Sequence, residues 1–441
     1  MRLLVLGAGG REHALAWACG RAEGAVELYG LPGNPGIAEI GMCLPGRADA
    51  PDDVLAAVRE REIDLVLVGP EAPLVAGLAD RLREAGVRVF GPSADAAGLE
   101  GSKVFAKELM RRHGVPTADF EVVEDIAHAR RKLEEIDYPH VLKADGLAGG
   151  KGALIVKDAD QARAAIELLM VEKKFGAAGE RIVFEAFLEG EEMSVFAIAS
   201  GESYRLLTAA QDYKRAHEGD RGPNTGGMGS IAPVVTWSEA LEQRVRREII
   251  EPTLSGMARE GRPYHGLLYA GLMVAEGAPR VVEFNCRFGD PETQALVPLL
   301  SDDLLGTLWA ASEPQRAPAE LPAVTYEGRY GACVVIASGG YPEGVRKGFP
   351  IRGLAQARAL PDTLVFQAGT VRRDEQLITA GGRVLNVVGM GDTLPDAVDR
   401  AYAAAERIEF SGAFYRRDIG WRGLQALERG AANAAGRPES Q

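Results

Sequence analysis

Three short apolar runs, residues 3–6, 26–29 and 65–68, constrain this chain most. Each runs into a glycine-rich turn: Gly7-Ala8-Gly9-Gly10, Pro32-Gly33-Asn34-Pro35-Gly36 and Gly69-Pro70-Glu71-Ala72-Pro73. Helical periodicity separates them at 12–20, 52–60 and 74–85, and a further strand pattern lies at 87–90. Strands alternating with helices predict a doubly wound parallel sheet. Ligands of such sheets lie beyond the carboxyl ends of the strands. The three turns converge there, so that edge carries a pocket.

The pattern changes after Ser102. Helices at 103–113 and 126–135 and strands around 141–143, 153–156, 182–185 and 194–199 predict a mixed α+β domain with a mobile lid at about 119–188. The polar stretch 211–229 is too long for an ordinary connection and reads as a functional or disordered loop. A helix over 238–259 and a hairpin of 267–275 with 280–285 follow. The Pro/Ala/Glu-rich stretch 313–322 reads as a linker. Strands at 331–337 and 383–388 and a helix at 397–408 build a small C-terminal domain, and the Ala/Gly-rich end reads as a frayed tail. The expected organisation is α/β and α+β, with domains at 1–102, 103–312 and 323–424 and a tail at 425–441. At 441 residues the chain exceeds what one core supports.

A net charge of −13 argues against an extended nucleic-acid surface, which needs clustered cations. No apolar run reaches the length of a membrane span, and the sequence enters its first strand without a leader, which predicts a cytoplasmic protein. Four cysteines, Cys19, Cys43, Cys286 and Cys333, lie far apart and signal neither disulfides nor zinc. Among 50 basic residues only ten are Lys, yet Lys103, Lys143, Lys151 and Lys214 all fall in Gly-rich or polar segments. That placement indicates sites wanting a compact ammonium.

The segment 141–152 contains Lys143, Gly149, Gly150, Lys151 and Gly152 and leads into another strand pattern. It lacks the spacing, the Ser or Thr after Lys, and the following helix of a P-loop. A glycine-rich loop between strands reads instead as a lid whose backbone N–H groups and Lys151 face a γ-phosphate while Lys143 reaches inner phosphates. A hairpin with solvated lysines is the competing reading. In 182–192 a strand end offers Glu185 and Phe187 to an adenine and Glu192 to a ribose, although acidic surface turns are common. Glu283 and Asn285 share one strand face and present two oxygen ligands suited to magnesium. Just beyond them, Arg287 is placed to stabilise anionic oxygens. A salt-bridged strand end would show the same spacing.

Gly9, Gly10, Arg11 and Glu12 follow the first strand, but the sixth position is Glu12 and no acidic residue ends the second strand, so a dinucleotide fingerprint fails. A glycine-led helix start still offers N–H groups to a phosphate. Asn34, Gly36, Pro70 and Glu71 on the other two turns join it as substrate-binding candidates. In the polar stretch, Asp212 is placed to hold an ammonium and Asn224 and Thr225 hydroxyl groups, while Gly226 and Gly227 allow close backbone approach.

These runs, in this order, resemble the glycinamide ribonucleotide synthetase family of ATP-grasp ligases over essentially the whole folded length. The matching segments are GAGGREHALAW at 7–17, PGNPG at 32–36, VGPEAPLV at 68–75, GPSA at 91–94, LEGSK at 99–103, KADGLAGGKG at 143–152, PNTGGMG at 223–229 and VEFNCRFGDPETQ at 282–294. The resemblance implies a doubly wound N-terminal domain, an ATP-grasp core with a hinged lid, and a small C-terminal domain. It implies conversion of ATP, glycine and 5-phospho-β-D-ribosylamine to ADP, phosphate and glycinamide ribonucleotide in de novo purine synthesis. Lys103, Lys143, Glu185, Phe187 and Glu192 match the family's nucleotide site, and Glu283 and Asn285 its metal positions, with magnesium or, in its place, manganese. Gly149 stands where the family pattern has Ala, and Tyr213 where His is frequent. The strand before Glu283 carries no acidic partner for it, so one or two metal ions are both compatible.

The expected chemistry is attack of glycine's carboxylate on the γ-phosphorus, with magnesium, Lys151 and Arg287 offsetting charge. The amine of phosphoribosylamine then attacks the glycyl phosphate. Asp212 is the candidate for glycine's ammonium. The expected partners are these small molecules, with no nucleic acid and no membrane, and a monomer with a homodimer as alternative. Another ATP-grasp ligase using bicarbonate, a nicotinamide dehydrogenase and a non-catalytic regulatory module are the competing classes.

Overall fold

The computed structural model describes residues 1–435 apart from Gly150, Asp302 and 314–320. Most of the expected linker, the expected lid residue Gly150 and the last six residues of the expected tail therefore lie outside the described residues.

A five-stranded parallel sheet runs in the order Met42–Cys43, Glu27–Pro32, Arg2–Gly7, Leu65–Val68, Arg88–Phe90. Leu3, Leu4, Val5 and Leu6 are all wholly buried, so both faces of the central strand are covered and no alternation appears in its sequence. Strand order reverses between Arg2–Gly7 and Leu65–Val68, the place where doubly wound sheets open a ligand crevice. Here Glu12 of the helix Gly10–Cys19 fills it. A Cβ on Gly69 would stand 2.1 Å from Glu12 Oε1, and one on Gly7 2.7 Å from its Cγ. These glycines make room for a side chain. The helix expected over 74–85 is instead two, Glu71–Val75 and Leu78–Glu84, because Gly77 at φ +83° turns the chain between them.

The strands Phe120–Val123, Ile182–Ala186, His140–Ala144 and Ala153–Val156 form a separate antiparallel sheet in that order. With the helix Ala159–Ile166, which the sequence reading missed, they enclose their own apolar cluster of Val123, Leu142, Ile166, Ile182 and Phe184. A third sheet has the order Ser203–Leu206, Glu191–Ser200, His265–Ala275, Ala278–Asn285. The helical run expected over 238–259 begins at the cap Ser238 and contains one wide turn, Arg246–Ile250. Pro252 follows that turn; it has no N–H to donate and its ring crowds the carbonyl four residues back.

The stretch 211–229 is not a loop. Gln211–Asp212 and Gly229–Ala232 are strands of a fourth sheet, continued by Tyr330–Ala337, Arg383–Gly391 and Thr363–Gln367, and Arg215–His217 pairs with Arg221–Asn224 as a hairpin. Tyr213 and Ile231 are wholly buried in the C-terminal core, which holds the polar sequence in place. The tail expected from 425 continues, as far as 435, a helix that begins before it. Trp421–Ala435 is a helix anchored by Trp421 and Leu424 on that core, and its Ala-rich sequence favours helix. Among the described residues no helix is long and apolar enough to cross a membrane.

Gly69→Ala drives a methyl group into the Glu12 carboxylate. Urea denaturation should show a loss of about 1–3 kcal/mol, the usual cost of overpacking. An unchanged midpoint would mean that Glu12 can withdraw freely.

Candidate active site

Glu283 and Asn285 lie on Ala278–Asn285, paired across the sheet with Gly271 and Tyr269. Burial pushes the Glu283 carboxyl upward, but Lys214, Lys103, Lys143 and Arg287 outweigh it and hold the group below its ordinary range. These cations come from the strand end at 212, the helix Lys103–His113, the strand His140–Ala144 and the end of Glu283's own strand. Among the described residues no three His, Cys, Asp or Glu side chains group to hold a metal. The protein therefore offers one ionised carboxylate and one amide. That set fits magnesium, which takes few protein ligands and completes its shell with water and phosphate oxygens.

Arg287 is fixed by the N-terminal domain. Its Nε lies 3.2 Å from Glu71 Oε2 and Nη2 3.6 Å from Glu100 Oε1, and Nη1 donates to the Phe288 carbonyl at 3.2 Å. Glu100 also accepts from the Cys286 N–H at 2.7 Å. Despite burial, the two carboxylates push the guanidinium further up, so it stays charged.

Lys143 and Glu185 meet on one face of the second sheet, where Val141 stands opposite Glu185 and Lys143 one step along. Lys143 Nζ lies 2.9 Å from Glu185 Oε2 and donates to the Val282 carbonyl at 2.8 Å. The same Oε2 is 3.0 Å from Lys107 Nζ, while Oε1 is buried without a partner among the described residues. Phe187, just past the strand, keeps 36% of its surface exposed.

The glycine-rich loop is pinned at its base. Asp145 accepts from Ser102 Oγ at 2.8 Å and the Val104 N–H at 3.1 Å, capping Lys103–His113, and pairs with Arg181. Lys103 Nζ reaches the Gly146 carbonyl at 3.4 Å. Beyond, Gly149 has φ +57°, a conformation an Ala would adopt only with strain, which accounts for glycine here. Lys151 is exposed in a turn closed by its N–H to Ala148, and the Gly152 carbonyl accepts from Ala144.

Asp212 is buried and points among charges. Burial, only partly opposed by Lys214, pushes its carboxyl up to about 8, with Glu292 and Glu192 adding to the shift. Lys214 pairs directly with Glu192. Thr225 donates from both N–H and Oγ1 to the Lys214 carbonyl, each at 2.8 Å, and its Oγ1 accepts from Gly227. The Gly226 carbonyl accepts from Arg383, and Asn224 lies opposite Arg215 in the hairpin.

The first turn is largely self-satisfied. Gly9 N–H donates to Glu12 Oε2 at 2.6 Å, so the helix start already holds a carboxylate, and Glu12 Oε1 pairs with Arg11 at 2.6 Å. Arg11 also donates to the Phe288 carbonyl at 3.0 Å. A Cβ on Gly10 would strike Asn386, and one on Gly36 His13. The Asn34 amide is spent on the Ala8 and Gln367 carbonyls and on the N–H groups of Gly36 and Ile37. Pro70 precedes the short helix that carries Glu71.

Models of the three domains of phosphoribosylglycinamide synthetase match in sequence order: the N domain at 1–100, the ATP-grasp (A) domain at 101–293 and the C domain at 331–422. This chain belongs to the phosphoribosylglycinamide synthetase family. The phosphoribosylamine–glycine ligase of Caulobacter vibrioides is 47% identical over 426 residues, covering 96% of this chain and 99% of that one. That of Chlorobaculum tepidum is 46% identical over 430 residues, covering 96% and 100%. The crystal structure of phosphoribosylamine–glycine ligase from Thermotoga maritima superposes with a TM-score of 0.84 at 36% identity, covering 95% of this chain and all of that one. A Hydrogenobacter thermophilus biotin carboxylase domain gives a TM-score of 0.72 at 18% identity, covering 94% and 91%, a likeness of fold alone. The protein is an ATP-grasp ligase.

Within this phosphoribosylglycinamide synthetase fold, sequence reasoning passed over Lys107, Glu100 and Arg383, and named Lys214 without a role. Lys107 was the findable one: it lies four residues after Lys103 on the same helix, in a chain poor in lysine. Glu100 and Arg383 carry no local signal, since their partners lie far along the chain. Glu100→Ala removes one carboxylate from Arg287 and the acceptor of the Cys286 N–H. It should cost about 2–4 kcal/mol in chemical denaturation, as breaking a buried charge pair does. A loss under about 0.5 kcal/mol, the range of ordinary surface changes, would refute that anchoring role.

Proposed function

We propose that this ligase joins glycine to phosphoribosylamine through glycyl phosphate, giving glycinamide ribonucleotide, ADP and phosphate in de novo purine synthesis. One observation carries the reading: four cations from four elements act on the single carboxylate Glu283, two residues from Asn285. Such a field suits a metal-bound polyphosphate. Magnesium or manganese, held by Glu283 and Asn285, would neutralise β- and γ-phosphoryl oxygens.

Lys103 and Lys143 bind the phosphates, and the exposed Lys151 meets the γ-phosphoryl group when the lid closes. Gly149, Gly150 and Gly152 let that loop approach. Glu185 and Phe187 receive the base, and Glu192 the ribose. Arg287, steadied by Glu71 and Glu100, faces the anionic oxygens. Asp212 accepts glycine's ammonium. A glycine carboxylate oxygen attacks the γ-phosphorus as the bond to ADP breaks. The amine of phosphoribosylamine then attacks the acyl carbon, phosphate leaves with the C–O bond pair, and the amine gives up a proton. Arg11, Pro70, Glu71 and Asn224 line the phosphoribosylamine side, while Gly9, Gly10, Glu12, Asn34, Gly36, Thr225, Gly226 and Gly227 shape its walls. We take the protein as a monomer, with a homodimer as the alternative, acting in the cytoplasm.

ADP formation should require both glycine and freshly generated phosphoribosylamine; release with either omitted at the full rate would overturn the substrate assignment. Glu283→Ala should remove most turnover, and near-normal activity of that variant in limiting magnesium would refute the metal assignment. Only ionised Asp212 attracts an ammonium. Because its carboxyl is pushed up to about 8, kcat/KM for glycine should climb with pH and level off near that value. Below it the fall should approach about tenfold per pH unit, and Asp212→Asn should flatten the slope. A flat wild-type profile would exclude this contact.

A further inference from the structure

Lys107 is 2% exposed and stands one turn beyond Lys103, on the side of the helix that meets the lid sheet. Its ammonium is held from below: it donates to Thr117 Oγ1 at 2.6 Å, and the Thr117 hydroxyl donates in turn to the Val281 carbonyl at 2.6 Å. Above, it meets Glu185 Oε2, the atom Lys143 also binds. The Phe120 ring, cross-strand from Glu185, closes the side at 5.9 Å. One oxygen of the carboxylate thus carries two ammoniums fixed to the strand before Glu283, and the carboxylate cannot rotate without losing both.

The other oxygen, Oε1, is buried and has no hydrogen-bond partner among the described residues. A buried acceptor left unpaired is costly and marks a place where a ligand donor belongs. A carboxylate clasped by two ammoniums has no proton to give, so Oε1 accepts only. An exocyclic amino group on a purine satisfies it; an oxo group at the same place sets acceptor against acceptor, the mismatch that discriminates ligands most strongly.

We propose that Lys107 is a positioning residue that locks Glu185 as a one-sided acceptor and thereby makes the site select an amino-purine nucleotide over an oxo-purine one. This rests on the reading that the base lies against Glu185. The charged groups facing Lys107 are Glu185, Lys143 and Glu283, and burial brings the ammonium down to about 8 against the pull of Glu185. Lys107 differs from Lys143 in lying outside the lid sheet, so its substitution tests the clasp without touching a residue assigned to the phosphates.

The test is calorimetric binding of Mg-ATP and Mg-GTP to the full chain. Lys107→Met should weaken ATP by at least about tenfold, the scale of one charge-assisted hydrogen bond, and leave GTP within about threefold. Thr117→Val, which removes only the lower anchor, should lower the ATP-to-GTP ratio in the same direction by less and serves if Lys107→Met does not fold. Glu185→Gln should admit GTP. An unchanged ratio in the lysine and threonine variants, or equal weakening of both nucleotides, overturns the proposal. If only Glu185→Gln moves the ratio, the base contact stands and the role of Lys107 falls. Because binding is read directly, a failure of ADP formation with glycine and phosphoribosylamine would sink the ligase reading separately.

Discussion

Glu283 remains ionised in a buried setting because charge reaches it from four separately held side chains. Burial opposes that charge, and the combined pull of the four cations outweighs it. Each cation is in turn held by its own oxygen. Lys143 has Glu185 and the Val282 carbonyl, Lys214 has Glu192, Lys103 has the Gly146 carbonyl, and Arg287 has Glu71 and Glu100. The positive field is therefore built from paired groups, and an arriving polyanion can draw on it by exchanging partners.

That dependence explains why the small C-terminal domain is wired into the site. Gln211–Asp212 is an edge strand paired with Gly229–Ala232, so the backbone of Asp212 is placed by a sheet whose three further strands begin more than a hundred residues later. Arg416 and Arg422 stack over the buried Tyr213 ring at 5.3 and 5.0 Å, and Arg422 donates to the Asp212 carbonyl. Arg383 binds the Gly226 and Asp290 carbonyls and pairs with Asp290 at 3.1 Å.

The alternation of apolar runs and helical periods made the parallel sheet readable, since burial on both faces leaves continuous strands such as Leu3–Leu6. The strand carrying Glu283 and Asn285 was readable because a two-residue repeat fixes which side chains share a face. The 211–229 segment was not, because its apolar residues Tyr213 and Met228 are scattered among glycines and charges and only pairing with distant strands gives them a core. The first glycine turn has the spacing of an anion cradle, and the Gly9 N–H there donates to Glu12 Oε2, a contact that spacing alone does not reveal. Lys107 carried a local signal in its helical spacing from Lys103, but its partner Glu185 lies on a distant strand and was not legible from that spacing.

The lid also shows why polar ties suit this architecture. Its apolar cluster is its own, and what joins it to the body includes Lys107 with Glu185, Lys143 with Val282, and Asp145 with Ser102 and Val104. An interdigitated apolar seam would resist displacement, since sliding it opens voids. Ionic and hydrogen-bonded ties can be given up when a ligand offers equivalent oxygens in return, and a triphosphate offers many. In the proposed reading the Lys143 tie to the Val282 carbonyl is the one a phosphate oxygen can replace, while the Lys107–Glu185 pair stays closed beneath the base.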